Sequence, residues 1–122
     1  MAKKILIIED EYILSGMYAD RFRLEGWKVN IAPTKDEGLI MTRKEKPDIV
    51  LLDILLFDGH GIEYLRTKKD EKEIAEIPVI VFSNLDDPKT KEESLELGVL
   101  EYLLKTSYTP KELVERVNSY LP

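Results

Sequence analysis

Five short apolar runs punctuate the 122-residue chain, and segments with helix-spaced apolar positions separate them. The runs are "KILIIE" at 4–9, "KVNIA" at 28–32, "DIVLLD" at 48–53, "PVIVFS" at 78–83 and "LEYLLK" at 100–105. Those at 5–8, 49–52 and 79–82 are unbroken and rich in β-branched residues, the pattern of strands covered on both faces in a parallel sheet. The run at 28–32 is mixed and that at 100–105 alternates, which assigns both to the sheet edges. Between them, Leu14, Met17, Tyr18 and Phe22 recur at helical spacing, with Gly26 at the C-cap. Thr34 with Glu37, and Thr109 with Glu112, read as capping boxes, the second with Pro110 at the first helical position. A helix beginning near Pro88 closes at Gly98, and the last helix buries Leu113, Val117, Tyr120 and Leu121. Trp27, opening an edge strand, reads as structural.

Strands that alternate with helices require right-handed crossovers. The pattern therefore predicts an α/β fold: a doubly wound, five-stranded parallel sheet with about five helices on its two faces. The length suits one compact domain over 1–122, with no linker, internal repeat or low-complexity tract.

Composition narrows the function classes. Hydrophobic residues make up 43% and charged residues 34%, a globular balance, and no apolar run approaches the roughly 20 residues of a membrane span. The chain has no cysteine, which excludes disulfides and thiol catalysis, and its N-terminus "MAKKILIIED" turns acidic too early for a secretory signal. A cytoplasmic protein with no membrane partner is expected. The net charge of -6 argues against a general nucleic-acid surface, which needs clustered Lys and Arg.

Ligands of doubly wound sheets sit at the carboxyl ends of the strands. Those ends carry Glu9, Asp10 and Glu11 after the first strand, Asp53 after the third, Ser83 after the fourth and Lys105 after the fifth. If the first, third, fourth and fifth strands are neighbours, as in the flavodoxin-like order 2-1-3-4-5, they converge on one pocket. Carboxylates about 5 Å apart at an effective dielectric near 20 repel by roughly 3 kcal/mol per pair, more than one lysine offsets among three. An all-oxygen set of this kind suits Mg²⁺, and it gives Asp53 the role of a carboxylate nucleophile for a phosphoryl group. Mg²⁺, Lys105 and the Ser83 hydroxyl would then stabilise the transferring oxygens.

"ILIIEDE", "DIVLLD", "VIVFSN" and "EYLLKT", in this order over the whole chain, resemble a response-regulator receiver domain of two-component signalling. The resemblance implies that Asp53 is the phosphoacceptor and that a histidine kinase or a histidine phosphotransfer protein is the donor. It implies a Mg²⁺ site made by Asp10, Asp53 and the backbone carbonyl of Leu55, with Glu9 acting through water. Ser83 falls at the family's switch hydroxyl and Tyr102 at its switch aromatic position. The output surface would be the fourth helix, fifth strand and fifth helix, engaging a protein target or a missing output domain, with a phosphorylation-dependent dimer as one form. Such a domain is a signalling phosphoacceptor that promotes its own phosphorylation and dephosphorylation rather than an enzyme.

The chain departs from the family at four places. Phe57 stands where proline usually follows the acceptor, His60 where an acid usually precedes the glycine, Thr106 where proline commonly follows the lysine, and Asn84 where a small residue often follows the switch hydroxyl. Leu55 and Leu85, two residues beyond Asp53 and Ser83, are expected to flank the path of water to an acyl phosphate and slow its hydrolysis.

Each residue alone has a plainer reading. Asp10 and Glu11 would cap a helix, Asp53 would be a turn residue, Ser83 a satisfied loop hydroxyl, Lys105 a solvated strand end, and Tyr102 packing. His60 reads as a surface-loop residue without a role. A flavin binder would want a Ser/Thr/Gly-rich loop where this chain has "EDEY". An aspartyl-intermediate phosphatase usually offers two alternating aspartates after its first strand, which are missing. A receiver-like module that binds without phosphorylation is the closer rival, and a phosphotransfer assay in Mg²⁺ separates the two.

Overall fold

The computed structural model describes residues 2–121. Five strands form one parallel sheet: β1 (Lys4–Ile8), β2 (Lys28–Ala32), β3 (Ile49–Leu52), β6 (Val79–Ser83) and β7 (Glu101–Leu104), in the order β2-β1-β3-β6-β7. With the sheet strands counted in chain order, this is 2-1-3-4-5. Four helices connect them, α1 (Tyr12–Leu24), α2 (Lys35–Glu45), α3 (Gly61–Asp70) and α4 (Pro88–Glu96), and α5 (Pro110–Asn118) follows the last strand after one 3-10 turn at 105–107.

Residue alternation divides the core between the two faces of the sheet. Leu6, Ile8, Val50, Leu52, Val79 and Val81 pack with Leu39, Tyr64 and Leu65 on the side of α2 and α3. Ile5, Ile7, Ile49, Leu51, Ile80 and Phe82 pack with Phe22, Leu113 and Val117 on the side of α1 and α5. The central strands are apolar throughout 5–8, 49–52 and 79–82 because both faces are covered there. Trp27 is buried edge-to-face on Phe22, with ring centroids 5.5 Å apart.

Several local expectations change. Ser15, Tyr18, Ala19 and Phe22 form the buried face of α1, while Met17 is 44% exposed, because α1 is covered on one stripe only. Tyr120 lies past the end of α5 and is 37% exposed, so Leu113, Val114 and Val117 supply that helix's buried face. The Thr109–Glu112 capping box forms in both directions. At α2 only half is present: Thr34 accepts from the Glu37 N–H, and Asp58 of a distant loop accepts from the Lys35 and Asp36 N–H groups at 2.7 and 3.1 Å. Gly26 and Gly98 follow their helices at positive φ.

The segment after Asp53 folds into a feature that no periodicity predicts, an antiparallel hairpin of β4 (Leu55–Leu56) and β5 (Gly59–His60). His60 has a role there, contrary to the expectation. Its Nδ1 accepts from the Ile62 N–H at 3.2 Å and its own N–H donates to Glu63 at 3.1 Å, which caps α3. Gly61 is required by close approach, since a Cβ would lie 2.7 Å from the Asp53 carbonyl oxygen. Two successive contacts thus anchor the chain that leaves Asp53.

Candidate functional site

The carboxyl ends of β1 and β3 lie side by side, and backbone bonds continue past them. The Asp53 N–H donates to the Ile8 carbonyl and the Glu9 N–H to that of Ala32, both at 3.0 Å. This register places Glu9 and Asp53 next to each other as the sheet ends. Both are buried, at 4% and 7% exposure, which for two carboxylates demands compensation.

Lys105, arriving from the end of β7, supplies it. Its Nζ donates to Asp53 Oδ2 at 3.0 Å and also to Glu9 Oε1. The second Glu9 oxygen accepts from the Glu11 N–H at 3.1 Å, and Asp53 Oδ1 from the Leu55 N–H at 3.3 Å. Asp10 is half-buried, and one oxygen each from Glu9, Asp10 and Asp53 falls within a 4.8 Å cluster. A cavity of about 320 Å³ opens here, lined by Asp10, Glu11, Asp53, Leu55, Asn84 and Lys105.

The electrostatics follow from burial and crowding. Burial pushes the Glu9 carboxyl up to about 7, with the charge of Asp53 adding to it and the Lys105 hydrogen bond opposing. Burial lowers the Lys105 ammonium, but the Glu9 hydrogen bond and the Asp53 charge outweigh it, so the net shift is upward. One ammonium thus bonds two of the three clustered carboxylates. The donor set is all oxygen, hard and over-charged, which fits a divalent cation such as Mg²⁺.

Ser83 and Tyr102 lie beside this cavity rather than in its wall. Ser83 is fully buried and its Oγ accepts from the Leu85 N–H at 3.2 Å. Tyr102 is 9% exposed, and its hydroxyl donates to the Leu85 carbonyl at 2.6 Å. Burial, with the charges of Asp87, Asp53 and Asp86, raises the Tyr102 hydroxyl to about 12, so it holds its proton at neutral pH. Leu85 thus links the two side chains, one through each of its backbone polar groups. Its side chain packs on the α2–α3 face of the core, so of the two leucines only Leu55 borders the cavity. Asn84, exposed, takes the wall position next to Ser83. That position follows from adjacency to Ser83 and has no motif of its own. All described peptide bonds are trans, the 105–106 bond included.

A 2-1-3-4-5 parallel sheet with a paired acidic end, a buried aspartate and a lysine meeting over its central strands defines a CheY-like signalling module. The chain belongs to the response regulator receiver domain family of two-component systems, whose match covers residues 5–118. A probable transcriptional regulator, ycf27, of Porphyra purpurea is 33% identical over 98% of this chain and 47% of its own length. The phosphate regulon transcriptional regulatory protein PhoB of Escherichia coli is 30% identical over 99% of this chain and 52% of its own. The chain thus spans about half the length of these curated relatives. A CheY-like response regulator receiver domain protein of Methanospirillum hungatei superimposes with a TM-score of 0.90 at 27% identity, covering 98% of this chain and 94% of the other. No described helix is long and apolar enough to cross a membrane.

Proposed function

We propose that this receiver domain accepts a phosphoryl group on Asp53 from a phosphohistidine of a histidine kinase or histidine phosphotransfer protein in the cytoplasm. The observation that carries the reading is the environment of Asp53: a buried carboxylate with one oxygen on Lys105 Nζ at 3.0 Å and two further carboxylates in the same 4.8 Å cluster. Mg²⁺ would be held by Asp10, Asp53 and the Leu55 carbonyl, with Glu9 acting through water. When bound, it offsets carboxylate charge that would otherwise repel an anionic donor.

Asp53 is the nucleophile. One of its oxygens forms the new P–O bond as the P–N bond to the donor imidazole breaks, and the imidazole keeps the electron pair and takes a proton from solvent. Lys105, already on Oδ2, stays beside the phosphoryl oxygens and stabilises their charge. The Ser83 hydroxyl, one residue beyond the wall, would reach a phosphoryl oxygen by giving up the Leu85 N–H. That exchange moves Leu85, and with it the acceptor of Tyr102, towards the surface of α4, β7 and α5. The same group at Asp53 is open to hydrolysis in the site, so the domain serves both its own phosphorylation and its reversal. The readout is engagement of a protein target, an output domain or a second copy.

Intact-mass spectrometry after incubation with a small acyl phosphate and Mg²⁺ tests the assignment. The mass should rise by one phosphoryl group in wild type and not in Asp53→Asn. Stable labelling of the variant at the wild-type rate overturns it.

A further inference from the structure

A second buried ammonium lies at the other end of the sheet. Lys68 of α3 is 5% exposed, and its Nζ donates to the Ala75 carbonyl at 2.9 Å, tying α3 to the turn that follows it. An ammonium has three donors, and this bond uses one. Lys105 meets two carboxylates, whereas among the described residues Lys68 has no carboxylate within ion-pair distance. Burial holds the Lys68 ammonium below the ordinary lysine value, against the opposing charge of Glu76. An anion brought to Nζ would relieve that cost.

There is room for one. Lys68 lines a cavity of about 480 Å³ between α3 and α4, where β6 and β7 begin, with Leu65, Ile77, Leu97 and Val99 among its apolar walls. A few hundred Å³, apolar side chains and a small number of placed polar groups are the usual makeup of a small-ligand site. The rim selects further. Exposed Glu76 and Glu96 border the same cavity and repel any second negative charge, which disfavours nucleotides and other polyanions. Exposed Lys69 at the rim adds one cation, so the lining carries no net charge before a ligand enters.

We propose that this cavity binds a small amphipathic monocarboxylate. Its carboxylate accepts from Lys68 Nζ, and its hydrocarbon body lies against Leu65, Ile77, Leu97 and Val99. The site shares no lining residue with the Asp53 cavity, so it stands or falls independently of phosphorylation.

Hexanoate and neutral hexanol, titrated separately into the ¹⁵N-labelled chain, provide the test. Hexanoate should shift the amides of Leu65, Lys68, Ile77, Leu97 and Val99 and bind about tenfold more tightly than hexanol, as expected of a buried charged hydrogen bond. Lys68→Met keeps the apolar stem and should reduce hexanoate to the level of hexanol. Equal affinity of the two probes for wild type, shifts centred elsewhere, or undiminished hexanoate binding to folded Lys68→Met overturns the proposal. If that variant does not fold, the wild-type comparison decides alone.

Discussion

At the scale of single residues, Glu9 gives the clearest handle on the site. In the folded chain it keeps its proton up to about 7, against an ordinary value near 4.5. Between those pH values the unfolded chain binds fewer protons at this position than the folded one. The contribution of Glu9 to stability is therefore present at low pH and lost as pH rises through about 7. Chelator-treated protein should show a higher melting temperature at pH 5.5 than at pH 8, and Glu9→Gln should flatten that difference. An unchanged slope in the variant would remove Glu9 as its source. Lys105 contributes through its charge, because removing it leaves Glu9 and Asp53 buried without a cation. Lys105→Ala should lose about 2 kcal/mol in metal-free buffer, with much of the loss recovered by Mg²⁺, as denaturant melts with and without the ion would show. Leu55, 52% exposed on the cavity wall, offers an attacking water no hydrogen bond. Leu55→Asn should then shorten the life of the phosphorylated state several-fold without preventing its formation, measured as phosphate release from purified phosphoprotein. A rate equal to wild type would relieve Leu55 of that role.

At the scale of elements, the β4–β5 hairpin is where the chain departs most from a generic βα connection. Asp53 is followed by a segment held at the N-terminus of α2 through Asp58 and at that of α3 through His60. Both contacts place an acceptor where a helix leaves N–H groups unpaired. The backbone amides holding Asp58 lower its carboxyl against the opposing effect of burial. Asp58→Ala should cost about 1 kcal/mol and lower the melting temperature by about 4 °C. Hydrogen exchange should show the loss in the first turn of α2 and in the hairpin, and protection that stays uniform there would refute the clamp. Phe57, 90% exposed at the hairpin turn, carries none of this stability and sits where the family usually has proline.

At the scale of the whole molecule, two hydrogen bonds through Leu85 link Ser83, beside the site, to Tyr102 of β7. Ser83 and Tyr102 hold opposite sides of the Leu85 backbone, on neighbouring strands whose register pairs Val81 with Tyr102 and Ser83 with Leu104. A phosphoryl mimic at Asp53 is expected to pull Ser83 inward and release Leu85, a change that favours one arrangement of the surface over another. Beryllofluoride should shift NMR signals of α4, β7 and α5 in wild type. Ser83→Ala, a small change at a fully buried site, should keep the fold and the local shifts around Asp53 but lose the distant ones. Distant shifts of wild-type size in that variant would exclude Ser83 from the relay.

Linear pattern alone dictates the parallel sheet and the residues at its carboxyl end, while its order came from likeness to flavodoxin-like sheets. Unbroken apolar runs such as 49–52 are stable only when covered on both faces, and parallel strands have few chain connections open to them. The same runs end in Asp53, Ser83 and Lys105 because polar groups appear where the strand leaves the core, so the candidate site was readable as a set of strand ends. Packing decided the rest. Whether Ser83 faces the cavity or its own turn depends on which hydrogen bond its hydroxyl makes, and Oγ is found on the Leu85 N–H. The hairpin, the His60 cap and the reach of Asp58 to α2 join residues 2 to 23 positions apart without any period. Lys68 is buried where the 71–77 turn folds back on α3, its Nζ on the Ala75 carbonyl. Periodicity reports which face of an element meets the core, while side-chain partners across loops are settled by three-dimensional proximity that carries no signal along the chain.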